Sequence, residues 1–214
     1  MTRQGVRVEV KGVSKEVDGI PLVQPVDLVA EPGQCVAVRG SNGSGKTTLL
    51  NLIAGRWTAS AGTVTIDGLE SDERLPAVRA QVAALIGSLA LYRDMTLLDH
   101  LMLIDATWGR DPDTYDDRAG AALDELGLSA LASRFPHELP SGQRQLFGLA
   151  VTLFRPSELL VLDEPEQRLD ANWRIQVSTA LRCRAKAGTT MVLACHGGQM
   201  IDVVADTVVD LDSS

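Results

Sequence analysis

The run Gly40-Ser41-Asn42-Gly43-Ser44-Gly45-Lys46-Thr47 constrains this chain more than any other feature. It fits GxxxxGK[ST]. The apolar stretch Cys35–Val38 (CVAV) precedes it. Thr47–Ala54 (TTLLNLIA) follows with helical spacing and stops at Gly55. Strand, glycine loop, helix is the order that phosphate binding asks of a backbone. Glycines let the loop wind tightly and expose its N–H groups to phosphate oxygens. A helix starting near Lys46 points the positive end of its dipole at the same charge. Lys46 then reaches the β- and γ-phosphates, and the Thr47 hydroxyl binds Mg²⁺, with Thr48 beside it in the first turn.

The rest of the chain reads as α/β. Val6–Lys11 alternates apolar and polar residues, as a half-buried strand does. Asp18-Gly19 marks a turn, Val26–Ala30 a second strand, and Glu31-Pro32-Gly33 another turn. Gly62–Ile66 and Asp67-Gly68 read as strand and turn. The middle, Leu97–Leu153, looks helical, with Asp113–Leu126 ending at Gly127 and Gln143–Leu153 at helical spacing. Leu159–Leu162 (LLVL) and Thr190–Ala194 (TMVLA) are continuous apolar runs, as buried parallel strands are. Ile175–Ala187 reads as a helix between them and Thr207–Leu211 as a last strand. Strands alternating with helices predict a mostly parallel sheet, and the helix-rich middle predicts an inserted helical lobe.

Composition sets bounds on this reading. The 214 residues suit one or two domains and suffice to bury a core without disulfide or metal staples. With 45% hydrophobic and 22% charged residues, a disordered or collagen-like chain is excluded. The balance is 28 acidic against 20 basic residues, a formal charge of −8 and a pI near 4.9. That argues against broad nucleic-acid binding, which needs clustered Lys and Arg. Cys35, Cys183 and Cys195 form no CxxC pair and read as small buried residues in a reducing compartment. The opening MTRQGVRVEVKG lacks the apolar stretch of a signal peptide. The longest apolar stretch, Ala83–Tyr92, is about half the ~20 residues a membrane helix needs. Any membrane-spanning work would fall to another chain.

Leu159-Leu160-Val161-Leu162-Asp163-Glu164-Pro165 adds a second phosphate-linked feature. Four apolar residues bury a strand and deliver two carboxylates at its C-terminal edge, where open α/β sheets hold their ligands. With this segment the chain resembles the nucleotide-binding subunits of ABC transporters, over nearly its whole length. The resemblance implies a P-loop NTPase (RecA-like) core, an N-terminal antiparallel β subdomain and an inserted α-helical subdomain. It divides the single domain 1–214 into a core lobe, about 1–86 and 155–214, and a helical lobe, about 87–154, with no C-terminal regulatory domain. It also implies roles. Asp163 holds Mg²⁺ through a water, and Glu164 polarises the attacking water as general base. His196, after the strand TMVLAC, contacts the γ-phosphate, whereas His100 and His137 read as structural. Asp170, in Gln167-Arg168-Leu169-Asp170, matches the end of the D-loop that meets a partner subunit, and it also suits a helix N-cap.

Three positions depart from the family pattern. Leu139-Pro140-Ser141-Gly142-Gln143 stands where LSGGQ is usual, at the start of a helix that binds the other subunit's ATP. Pro140 brings neither hydroxyl nor N–H, and Ser141, Gly142 and Gln143 remain as contacts in trans. Gly87 stands where the Q-loop glutamine belongs. Near Val17 the family stacks an aromatic residue on adenine, and Ser14–Ile20 contains none.

The resemblance therefore implies an ATP-hydrolysing subunit, slow on its own, that drives a separate transmembrane chain. It would pair with a second ATPase subunit and lie on the cytoplasmic face of the membrane through its partner, with no nucleic acid expected. Alternatives are the degenerate half of a heterodimer, an ATP-dependent regulatory switch, or a different P-loop enzyme such as a small-molecule kinase.

Overall fold

The structure, a computed structural model, describes residues 5–195 and 198–213. The chain runs through β1 (Val8–Val17), β2 (Ile20–Ala30), β3 (Cys35–Arg39), α1 (Lys46–Ile53), β4 (Ala61–Ile66), β5 (Leu69–Glu70), α2 (Pro76–Gln81) and β6 (Val82–Leu85). It continues through α3 (Leu97–Thr107), α4 (Tyr115–Glu125), α5 (Ser141–Phe154), β7 (Leu159–Asp163), α6 (Ala171–Lys186), β8 (Thr190–Ala194), α7 (Gly198–Val204) and β9 (Thr207–Asp210).

Two sheets result. The N-terminal one is antiparallel, in the order β2-β1-β4-β5. Its first hairpin turns at Asp18 and Gly19, both with positive φ (53° and 79°), the requirement of a tight two-residue turn. The second sheet is wholly parallel, in the order β6-β7-β8-β3-β9. The three helices α3 to α5 fall between β6 and β7 in the chain. The expected combination of a mostly parallel sheet, an N-terminal antiparallel sheet and an inserted helical segment is what the structure contains.

Strand periodicity divides the core in two. From β7, Leu159 and Val161 face one side, with Val192 of the adjacent β8, Val36 and Val38 of β3 beyond it, α1 (Leu49, Leu50, Ile53) and the antiparallel sheet. Leu160 and Leu162 face the other side, with Ala37, Met191, Leu193 and the helical residues Leu101, Leu123, Phe147 and Leu181. Both faces of the central strands are therefore buried, which is why they read as unbroken apolar runs.

The helical segment is fixed by local devices. Thr96 caps α3 in a capping box: its hydroxyl accepts from Asp99 N–H, and Asp99 accepts from Thr96 N–H (2.8 Å). Asp105, buried, is ion-paired with Arg110 and Arg118. His100 is structural as expected: it accepts from Tyr92 N–H (2.9 Å), bonds Thr96 O (2.7 Å) and meets Phe147 edge-on. His137 is exposed and stacks on Phe135.

Some boundaries differ from the sequence reading. The apolar run 83–92 is not one element. Its first residues belong to β6, which pairs with β7, and the chain then turns away through Gly87 (φ 69°). The first strand runs on to Val17. Helix α6 starts at Ala171 rather than Ile175, because Asp170 caps it. Cys35 and Cys195 are buried, but Cys183 is exposed on the outer face of α6, so the expectation of three buried cysteines fails there. Among the described residues no helix is long and apolar enough to cross a membrane.

Candidate functional site

The parallel sheet brings the two phosphate-linked motifs to one edge. Val38, next to last in β3, and Asp163, at the end of β7, both pair with Ala194 of the strand between them. The glycine loop and the two carboxylates thus leave the sheet at the same level, one strand apart.

The loop is shaped by contacts that tolerate little else. Gly45 has φ 96°, and a Cβ there would sit 2.5 Å from Leu22 O and 2.8 Å from Val23 Cβ. Only glycine meets both conditions. Gly40 lies so close to Ser44 Oγ that a side chain would displace it. Lys46 opens α1 and is buried. Its ammonium donates to Gly40 O (2.9 Å) and Ser41 O (2.8 Å), so it is folded across the loop it would share with a phosphate. Ser44 Oγ is buried and has no hydrogen-bond partner among the described residues, an oxygen waiting for a donor or a ligand. Asn42 and Gly43 are exposed at the loop tip, and Thr48 is half-buried in the first turn of α1.

Thr47 Oγ1 donates to Asp163 Oδ2 (2.8 Å), while Asp163 Oδ1 is buried and unpartnered among the described residues. Burial raises the Asp163 pKa above the usual carboxylate range, with the Thr47 hydroxyl bond opposing and Glu164 adding to the shift. A hydroxyl facing a carboxylate with an orphaned oxygen fits Mg²⁺, which takes one or two protein oxygens and fills its shell with water and phosphate. Among the described residues there is no cluster of three or more His, Cys, Asp or Glu that could hold a metal ion.

Glu164 follows at φ 48°, held there by its N–H donating to Ala194 O (2.9 Å). Its carboxylate accepts from Gln167 Nε2 (2.8 Å). Pro165, Glu166 and Leu169 are buried, and Asp170 caps α6 by accepting from Trp173 N–H (2.9 Å), so this turn is anchored throughout. Beside Glu166, the Cys195 thiol is pushed up by burial and then by the Glu166 charge.

The remaining predicted residues occupy separate places. Pro140 is the N-cap of α5, extended at ψ 155°, with no side-chain cap, and Ser141 is the first helical residue. The early N–H groups of Ser141, Gly142 and Gln143 have no partner within their own helix. Arg168 O lies 2.9 Å from where a Gly142 Cβ would be, so the D-loop and this helix start abut. Gly87 lies two residues beyond Leu85, which pairs with Leu162, and nothing stands within 4 Å of its would-be Cβ. Val17 sits 45% exposed at the tip of the β1–β2 hairpin, opposite Ile20 at 63%. The base of that hairpin's return strand touches Gly45 through Leu22 and Val23. His196 lies outside the described residues.

Sequence reasoning missed three contributors. Asp212 accepts from Ser41 N–H (2.7 Å) and Ser41 Oγ–H (2.9 Å), tying the C-terminal turn to the glycine loop. No local signal marks a partner 171 residues away. Ile20 doubles the apolar surface at the hairpin tip. Gln167 sits three residues after Glu164, a spacing that a turn makes adjacent.

Comparison with known proteins places the chain in a family. The family model described as ABC transporter matches residues 23–167. An aliphatic sulfonates import ATP-binding protein of Agrobacterium fabrum is 32% identical over 209 residues, covering 97% of this chain and 77% of that protein. A sulfate/thiosulfate import ATP-binding protein of Brucella melitensis biotype 1 is 35% identical over 209 residues, covering 95% and 58%. A solved structure of the ATP binding subunit of an ABC transporter superimposes with a TM-score of 0.85 at 26% identity, over 95% of this chain and 85% of that one.

Proposed function

We infer the working of the site from one premise: the chain belongs to the ABC transporter family and is one of its ATP-binding subunits, an ATPase coupled to transport. The observation that carries the reading is the meeting of Thr47, Asp163 and the Lys46 ammonium at a single sheet edge.

ATP binds with its phosphates against the loop Gly40–Thr47. Lys46 exchanges its carbonyl partners for β- and γ-phosphate oxygens, and the N-terminus of α1 adds its dipole. Thr47 and Asp163 would hold Mg²⁺, which, when bound, neutralises charge on the phosphates. Glu164 takes the proton of the attacking water, and His196 contacts the γ-phosphate. Val17 offers adenine an apolar surface without stacking. The N-terminus of α5, with Ser141, Gly142 and Gln143, faces the ATP of a second subunit, and Asp170 stands in the loop beside it. The core lobe, about 1–86 and 155–214, and the helical lobe, about 87–154, close around the nucleotide together. The second subunit is a copy of this chain or a related chain that supplies its own signature helix.

A separate membrane-spanning chain supplies the route for cargo, and this subunit sits on its cytoplasmic face. The relatives' names support import as the direction. Those names carry different cargoes at similar identity, sulfonates and sulfate or thiosulfate among them, as expected if the membrane chain selects cargo. Purification of the tagged chain from its native membrane fraction tests this reading. Co-purification of a multi-span membrane protein in fixed ratio supports it. Association with ribosomes or DNA instead contradicts it.

A further inference from the structure

We propose that Gln167 is a positioning residue for ATP hydrolysis: its side-chain amide holds the Glu164 carboxylate in the orientation from which it accepts the proton of the attacking water. The inference rests on the reading of Glu164 as that base.

Gln167 grips Glu164 twice. Its backbone N–H donates to Glu164 O (3.0 Å), which closes the turn, and its Nε2 donates to Glu164 Oε2 (2.8 Å). The two bonds act on different parts of the glutamate. The first, with the bond from Glu164 N–H to Ala194 O, fixes a backbone at φ 48°, a region a residue with a Cβ rarely adopts. The second acts on the far end of a side chain with three rotatable torsions. A donor on one carboxylate oxygen selects one rotamer.

The chemistry of an amide suits this work. Gln167 donates a hydrogen bond but has no proton to surrender and no charge, so it orients the base without neutralising it. A cation in the same place would bind more strongly and depress the basicity of Glu164. The scaffold also keeps the amide in place. Leu169 is buried, Asp170 caps α6, and Leu169 N–H bonds Glu166 O (3.3 Å), so the turn carrying Gln167 is anchored at its far end. Gln167 itself is exposed, which separates its effect on orientation from any contribution to the core. Past the end of the neighbouring β6, Gly87 follows Leu85 by two residues, as Glu164 follows Leu162, and it has no side chain to share the task.

The test uses the full chain at saturating ATP and Mg²⁺, with phosphate release, nucleotide affinity and thermal midpoint measured for each variant. Gln167→Ala is expected to lower kcat by about ten- to one-hundred-fold, the worth of one hydrogen bond to a charged group. Its nucleotide affinity and thermal midpoint are expected to stay at the wild-type values. Gln167→Glu, equal in length but without the donor, is expected to be at least as slow. In a Glu164→Gln background, Gln167→Ala is expected to have no further effect on the residual rate. An unchanged or faster Gln167→Ala enzyme overturns the proposal, as does a loss of kcat matched by an equal loss of nucleotide affinity. If Glu164→Gln itself hydrolyses at the wild-type rate, the role of Glu164 fails and this inference with it. If Glu164→Gln is inactive while Gln167→Ala is normal, only the role of Gln167 fails.

Discussion

The Thr47 hydroxyl donates to Asp163 Oδ2 across 2.8 Å, joining the first turn of α1 to the end of β7 between residues 116 positions apart in sequence. It does so beside a buried Asp163 Oδ1 with no partner among the described residues. We propose that the pair serves a ligand rather than the resting fold, and that distinction is measurable.

Asp163→Asn is expected to separate stability from function. Burial favours the protonated form of Asp163, so its folded pKa lies above the unfolded one. Its contribution is then present below the unfolded pKa and lost as pH rises through the folded pKa. At neutral pH the ionised carboxylate costs stability. The neutral isostere, which still accepts from Thr47, is expected to leave the nucleotide-free thermal midpoint unchanged or raised, by no more than about 1 kcal/mol after solvent screening. Stabilisation by ATP with Mg²⁺, read in the same melting assay, is expected to vanish. In the wild type, that stabilisation is expected to weaken as pH falls through the raised Asp163 pKa.

Gly45→Ala forces a Cβ into a left-handed residue and against Leu22 O at 2.5 Å. The backbone conformation alone costs about 1–2 kcal/mol. Chemical denaturation is expected to show a loss of at least about 2 kcal/mol, together with loss of ATP binding.

Asp212→Ala removes two hydrogen bonds to Ser41 and frees the start of the glycine loop from the C-terminal turn. Stability is expected to fall by about 1 kcal/mol, because both bonds are exposed to water. Titration calorimetry is expected to show ATP affinity weakened several-fold, with Asp212→Asn in between.

Pro140→Ser restores a side-chain acceptor at the N-cap of α5 and an N–H at its start. A serine cap is worth about 1 kcal/mol to a helix. The wild-type subunit is expected to hydrolyse ATP slowly alone, and Pro140→Ser to speed it several-fold while strengthening ATP-dependent dimerisation in sedimentation. Brisk hydrolysis by the wild-type chain alone would contradict the first expectation.

The legible parts of this molecule are those with local signals. The glycine loop, the doubly buried strands β3, β7 and β8, and the helix starts at Lys46 and near Gln143 all announce themselves by periodicity or by glycine. Strand β6 did not, because Val82–Leu85 merges into an apolar run whose period suits strand or helix. The pairing with β7 decides it. The hold of Asp212 on Ser41 is a long-range contact between exposed polar residues, to which no sequence pattern corresponds. The grip of Gln167 on Glu164 lies within one turn, yet it depends on the left-handed backbone of Glu164, a conformation that sequence alone assigns to glycine, asparagine or aspartate. Exposure of Cys183 follows from which face of α6 meets the core, and the helix is too weakly amphipathic for its residues to declare that face.

In the proposed function, this sheet edge hydrolyses ATP through Glu164 while Lys46, Thr47 and Asp163 hold the nucleotide and its Mg²⁺. Single-turnover hydrolysis of ATP by the full chain, wild type against Glu164→Gln, tests it most directly. The prediction is that Glu164→Gln binds ATP with Mg²⁺ as tightly as the wild type and hydrolyses it at least about one-hundred-fold more slowly, the scale of general-base loss. Equal rates in the two proteins would contradict the claim.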